Sequence, residues 1–277
     1  MSSEENMEVI ICFHVKDSEV LPWCVKGIKE NINYSTISII SDESNKNYIE
    51  NLGVRFVSEY EMLGSDRGVL EHHQCTQNEQ WGWYFQQILK LAAADLVSTD
   101  NYLVVDADTV FLKRTRFFDE LSRPLFSISK EYHKPYFWAF EKLLGFSANR
   151  EYSFICHHML FNKHLVKEMR GCFKGRKPWF LNVAELVSPQ PPHYSSSQFS
   201  EYETYGHWVK ANYPENMALR ILSFENVPFH PSQILLDVLK RKYDFASFHH
   251  YGLVGRKVGF LKIFKSSLKV TYNYLFK

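Results

Sequence analysis

Short unbroken apolar runs alternate with amphipathic stretches along the first third of the chain. Residues 7–15 (Met-Glu-Val-Ile-Ile-Cys-Phe-His-Val) read as a strand buried on both faces. Residues 19–31 follow as a helix. Residues 36–40 form a second strand, closed by Ser41-Asp-Glu-Ser44. Residues 45–52 are a short helix stopped by Gly53, and 54–57 a third strand. This β-α-β-α-β order predicts a mainly parallel sheet covered by helices. Such sheets bind ligands beyond the carboxyl ends of their strands. Lys16, Asp17 and Asp42 fall at those ends.

The pattern then changes. Residues 59–80 are polar, carry Gly64 and Gly68, and predict a long loop with at most a short helix. Residues 78–96 predict the clearest helix. Trp81, Tyr84, Phe85, Ile88, Leu91 and Ala92 form one apolar stripe, and Trp83, Gln87 and Lys90 share another face. Strands are predicted at 124–130, 151–161, 219–224 and 243–251, and helices at 162–170, 200–212 and 234–240. The aromatic stretch 132–146 is a helix or a pocket-lining loop. The proline-rich segment 188–197 is a candidate lid.

Between helix and second half lies Asn101-Tyr-Leu-Val-Val-Asp-Ala-Asp-Thr-Val-Phe-Leu112. A buried strand here ends in two carboxylates. Asp106 and Asp108 are two residues apart, so an extended backbone points both the same way. Carboxylates at such a place are costly unless a cation binds them. A hard divalent ion takes one or two carboxylates and fills its other positions with water and phosphate oxygens.

Composition narrows the classes. A formal net charge of +1 argues against a general nucleic-acid binder, and 16% aromatic residues leave rings to stack on a ligand. Five cysteines without C-x-x-C spacing are neither a disulfide framework nor a zinc site. The polar start is unlike a signal peptide, and no apolar run is long enough to cross a bilayer. A cytoplasmic protein is the expectation. No acidic residue follows Asp244, while Arg256, Lys257, Lys262, Lys265, Lys269 and Lys277 do. Residues 254–277 also carry apolar positions three or four apart. They read as a basic amphipathic helix for the anionic inner face of a membrane, or as an ordinary C-terminal helix docked on the domain.

The phrases Trp83-Tyr-Phe-Gln-Gln-Ile-Leu-Lys-Leu91, Leu103-Val-Val-Asp-Ala-Asp108 and Ser200-Glu-Tyr-Glu-Thr-Tyr-Gly206 resemble a group of bacterial and viral polysaccharide glycosyltransferases of the GT-A type. The resemblance implies a mixed, mainly parallel sheet flanked by helices. It implies one catalytic domain over 1–252, with a nucleotide-sugar half at 7–112 and an acceptor half at 113–252, and a basic tail at 253–277. It further implies transfer of a sugar from a UDP- or GDP-linked donor to a saccharide or lipid-linked saccharide; the presence of a candidate general base favours inversion.

Carried onto this chain, Asp106 and Asp108 would hold Mn2+ or Mg2+ on the donor diphosphate, with Asp108 the direct ligand and Asp106 shared with the ribose. His249 or His250 would complete the ion's shell, with His230 a weaker competitor. Lys16, Asp17, Asp42, Gln87 and Lys90 would contact the donor, and His157 and His158 the acceptor. Glu201 or Glu203 would be the general base. Ser200-x-x-Glu203 is equally a capping box, which would use Glu203 structurally. A sugar-nucleotidyltransferase is the first rival, but His14-Val-Lys-Asp-Ser-Glu19 lacks the glycines of a triphosphate loop. A non-catalytic sugar-binding protein is the second.

Overall fold

The computed structural model describes residues 6–64, 66–71, 81–175, 177–186 and 197–249. His250, the tail 251–277 and most of the proline-rich segment lie outside them. The central sheet has five strands in the order β3-β2-β1-β4-β7. These are β1 (Met7–Cys12), β2 (Thr36–Ser41), β3 (Arg55–Ser58), β4 (Asn101–Val105) and β7 (His158–Asn162). The first four run parallel, and β7 joins the edge of β4 antiparallel. This is the mixed, mainly parallel α/β sheet expected from the sequence.

The strand expected to end at the two carboxylates does end there, at Val105. After β4 the chain turns through the two aspartates into β5 (Thr109–Phe111), which belongs to a second sheet with β9 (Phe224–Val227) and β10 (Phe245–Phe248). A third, two-stranded sheet pairs β6 (Leu125–Ser127) with β8 (Ala218–Arg220). The Asp-Ala-Asp turn is therefore the hinge between two sheets.

Side chains of β1 alternate between two cores. Ile10 and Cys12 join Val104 on one face, and Val9 and Ile11 join Leu103 and Val105 on the other. All six β1 residues are buried. That includes Glu8, whose carboxylate accepts from Ser98 N (2.7 Å) and Ser98 Oγ (2.8 Å). α1 (Leu21–Asn31) covers the second face. Gly27 permits its close approach, because a Cβ there would stand 2.8 Å from the Phe111 carbonyl oxygen. α2 (Lys46–Glu50) connects β2 to β3. The polar stretch after β3 holds two short helices, α3 (Glu59–Leu63) and α4 (Asp66–Glu71), where a long loop with a single short helix at most was expected.

The first face is covered by α5 (Trp81–Ala92), α6 (Lys134–Leu144), α7 (Lys163–Gly171), α8 (Trp179–Leu186) and α9 (Glu201–Asn212). α8 has no counterpart in the sequence reading. The last helix, α10 (Gln233–Lys240), packs beside the second sheet. Of the expected strand over 151–161, only the end is regular strand; before it Ser153 makes an isolated antiparallel bridge to Ser129, and the left-handed backbone of His157 interrupts the extended chain. α5 and α9 touch each other and both reach the end of β4.

Candidate active site

A cavity of about 840 Å3 opens at the carboxyl ends of β1, β2 and β4. It brings together Lys16, Asp17, Gln87, Lys90, Asp106, Asp108, His157, Glu201 and His249 from six separate stretches of the chain. Asp42, Glu203, His158 and His230 are not among its lining residues.

The cavity floor is a buried ionic network. Lys90, on the last turns of α5, is only 4% exposed. Its Nζ donates to Asp106 Oδ1 at 2.6 Å and to Glu201 Oε1 at 2.7 Å. It also lies 4.6 Å above the Tyr202 ring. Tyr202 Oη donates to the same Asp106 oxygen at 2.9 Å. Burial opposes the charge on Lys90, yet the two carboxylates raise its pKa. Burial likewise opposes the charge on Asp106. Lys90, joined by His157, outweighs it and holds Asp106 below the usual carboxylate range. Glu201 goes the other way, because burial raises it more than Lys90 lowers it. The cation that the half-buried Asp106 required from sequence is thus in large part Lys90 itself.

Asp108 is placed differently. Its Oδ2 stands 2.8 Å from His249 Nδ1, while its Oδ1 is buried with no hydrogen-bond donor. β10 sets this pair, since Phe248 N donates to the Asp108 carbonyl at 2.8 Å. Burial opposes protonation of His249, but Asp108 raises its pKa. Asp17, on the turn after β1, is raised to about 6 by burial, with Asp108 adding to the rise. Among the described residues no three His, Cys, Asp or Glu side chains form a ready cation cage. The donors nevertheless fit one. An orphaned carboxylate oxygen and an imidazole suit Mn2+ or Mg2+. Neighbouring donors around an octahedral ion lie roughly 3 Å apart, close to the Asp108–His249 separation.

His157 has φ of 58°, a left-handed backbone that a non-glycine residue adopts at a cost. The twist lets its carbonyl accept from Asp106 N at 3.0 Å while its Nδ1 lies 3.6 Å from Asp106 Oδ2. Its ring is 5.0 Å from that of His249.

The other expected residues are used elsewhere. His158 is 2% exposed, bonds Ser127 Oγ at 3.1 Å, and packs against Phe111, Phe117 and Phe245. Burial pushes its pKa well down. It is a core residue, since successive strand side chains face opposite ways. Asp42 caps a short turn, accepting from Ser44 N at 2.9 Å. His230 pairs with Glu19 at 2.8 Å. The capping box is half present. Ser200 Oγ accepts from Glu203 N at 3.3 Å. The Glu203 carboxylate instead takes Ser153 Oγ at 2.5 Å and Phe154 N at 3.1 Å, with His207 Nε2 at 3.0 Å. It secures the 153–157 segment that presents His157.

Sequence reasoning passed over Tyr202 and Glu131. Tyr202 lies within the Ser200–Gly206 phrase, one position beyond a residue already singled out. Glu131, which lines the cavity, follows a strand on its carboxyl side, the place where ligand contacts gather.

No curated protein matches the chain in sequence. In three dimensions it is similar to mouse xyloside xylosyltransferase 1 in its apo form, at 11% identity and a TM-score of 0.45, over 87% of this chain and 97% of that one. It is similar also to the galactosyltransferase LgtC in complex with donor and acceptor sugar analogues, again at 11% identity and a TM-score of 0.45, over 87% of each chain. At that score and identity the likeness decides nothing about chemistry. No described helix is long and apolar enough to cross a membrane. A family profile described as a family of unknown function (DUF6492) matches residues 19–228, more than half of the chain, and the protein belongs to that family.

Proposed function

We propose that this protein is a metal-dependent GT-A glycosyltransferase, taking a sugar from a UDP- or GDP-linked donor to a saccharide or lipid-linked saccharide during surface glycan synthesis. The observation that carries the reading is the unpartnered Asp108 Oδ1 beside His249, set in a large cavity at the carboxyl ends of parallel strands. Asp108 and His249 would hold the cation, with Asp106 Oδ2 next to them and Asp106 Oδ1 committed to Lys90. When bound, the ion supplies a positive charge for the leaving diphosphate.

The cavity's own charge supports dependence on that ion. Six carboxylates line it (Asp17, Glu59, Asp106, Asp108, Glu131 and Glu201) against two lysines, Lys16 and Lys90. A diphosphate entering unaccompanied would meet net repulsion. Lys16 and Asp17 face the diphosphate and ribose in this reading, and Gln87 and Lys90 orient the donor sugar. Gln87 is fixed by donation to the Trp83 carbonyl at 3.0 Å.

Glu201 is the candidate base. It borders the cavity, and burial raises its pKa toward the range useful for accepting an acceptor proton. Lys90 would hold the carboxylate in position and limit its basicity. Transfer with inversion rests on this residue. An association of residues 254–277 with an anionic membrane surface rests on the sequence alone.

A panel of nucleoside-diphosphate sugars assayed for hydrolysis with and without Mn2+ tests the function. Metal-dependent release of nucleotide from at least one donor, lost in Asp108→Ala, is expected. Release that is indifferent to metal and to Asp108 would refute it.

A further inference from the structure

A second cavity, of about 480 Å3, lies at the opposite, amino end of the sheet. Met7 at the start of β1 lines it, with Asn33 before β2 and residues 114–118 after β5. β1 alone separates the two ends by roughly 20 Å at ~3.3 Å per residue. This site is independent of the proposed transferase reaction.

Its chemistry is the reverse of the first cavity's. The lining holds Arg114 and Arg116 and no carboxylate. Both arginines are exposed, and neither pairs with a carboxylate among the described residues. Neighbouring cations are committed. Lys113 faces Asp244 at 3.5 Å, and Arg123 faces Asp119 at 2.7 Å. Two like charges two residues apart repel each other unless an anion lies between them.

The loop that carries them is held in place. Thr115 N donates to the Asn31 carbonyl at 3.0 Å, and Thr115 Oγ1 to the Lys113 carbonyl at 3.0 Å. Arg220 lies 4.6 Å over the Phe117 ring and donates from Nη1 to the Arg116 carbonyl. Phe117, Phe118 and Met7, each under 8% exposed, form an apolar wall. Two guanidinium forks beside an apolar wall suit a phosphoryl group joined to a less polar body. A cavity of this size holds more than one phosphate.

We propose that the Arg114–Arg116 cavity binds a phosphate-bearing ligand, either a small phosphate compound or a phospholipid headgroup. Calorimetric titration of the full chain with inorganic pyrophosphate, in EDTA and at low ionic strength, tests the shared chemistry. EDTA withholds the cation that the acidic cavity would need. Co-sedimentation with neutral vesicles, with and without an anionic phospholipid, tests the lipid source, and the basic tail is the same in every variant. Arg114→Gln/Arg116→Gln should weaken binding by about tenfold or more in one arm. Arg123→Gln should leave both arms unchanged. Loss in the pyrophosphate arm alone identifies a small phosphate compound, and loss of vesicle binding identifies a headgroup. Failure of the wild type to bind in either arm, or equal binding by the double variant in both, overturns the proposal.

Discussion

The two ends of one sheet carry opposite electrostatic designs. At the carboxyl end, six carboxylates surround two lysines, and the most buried part of the charge is neutralised internally by Lys90. At the amino end, two arginines stand without any acid in their cavity. Internal neutralisation makes the first end part of the fold's stability, because its charges are desolvated and depend on one another. The second end is solvated, so its charges cost little and hold little together. Substitutions of equal size should therefore weigh very differently at the two ends.

The largest effect is expected at Lys90. Lys90→Met leaves the Asp106 and Glu201 carboxylates facing each other without their cation. It should lower unfolding free energy by ~3–5 kcal/mol in urea titration. A loss near zero would mean that the network is open to water and that the contrast between the ends fails.

Asp17 sharpens the comparison through pH. Its pKa in the folded protein is raised to about 6, chiefly by burial, from the usual carboxylate range. The folded state therefore holds a proton that the unfolded chain has already released. The stability this group contributes is present below about pH 4 and is lost as pH rises through about 6. The loss is at most about 3 kcal/mol. In metal-free protein, Asp17→Asn should flatten this slope and raise stability at pH 8 relative to wild type. Parallel pH profiles of the two proteins would contradict it.

Glu203 sits two residues from Glu201 on the same helix but outside the cavity. Glu203→Gln keeps its shape while losing the charge that binds Ser153 Oγ and Phe154 N, at a cost of about 2 kcal/mol. Urea titration should show that loss, and metal binding should weaken only indirectly through the 153–157 segment. An unchanged midpoint would return Glu203 to the list of candidate bases. The smallest effect belongs to the amino end. Arg114→Gln/Arg116→Gln should shift stability by no more than ~0.5 kcal/mol, read by the same titration.

What the sequence made legible follows the same division between cooperative and local signals. Apolar runs located β1, β2, β3 and β4, because strands in the interior of a parallel sheet read as nearly continuous hydrophobic segments. The same logic placed Asp106 and Asp108 at a strand end. It could not show that Lys90 and Glu201, 111 residues apart, would form an ion pair. Helical spacing placed Gln87 and Lys90 on one face, but the facing partner is a long-range fact. His157 and His158 were inseparable in sequence, since alternation says that they differ without saying which points inward. That residues 109–111 would leave the central sheet for a second one was hidden, because the apolar runs on either side of the carboxylates look alike in sequence. α8 was missed because it is short and apolar nearly all round, with only Asn182 and Glu185 polar, and so shows no helical period.

Asp108 carries the proposed metal chemistry most directly. Calorimetry should follow Mn2+ with UDP, and Mn2+ with GDP, binding to the wild-type protein and to Asp108→Ala. The expected result is binding of one nucleotide only when Mn2+ is present, abolished in the variant, with both proteins unfolding at similar urea concentrations. Nucleotide binding that needs no metal, or that survives in Asp108→Ala, would contradict it.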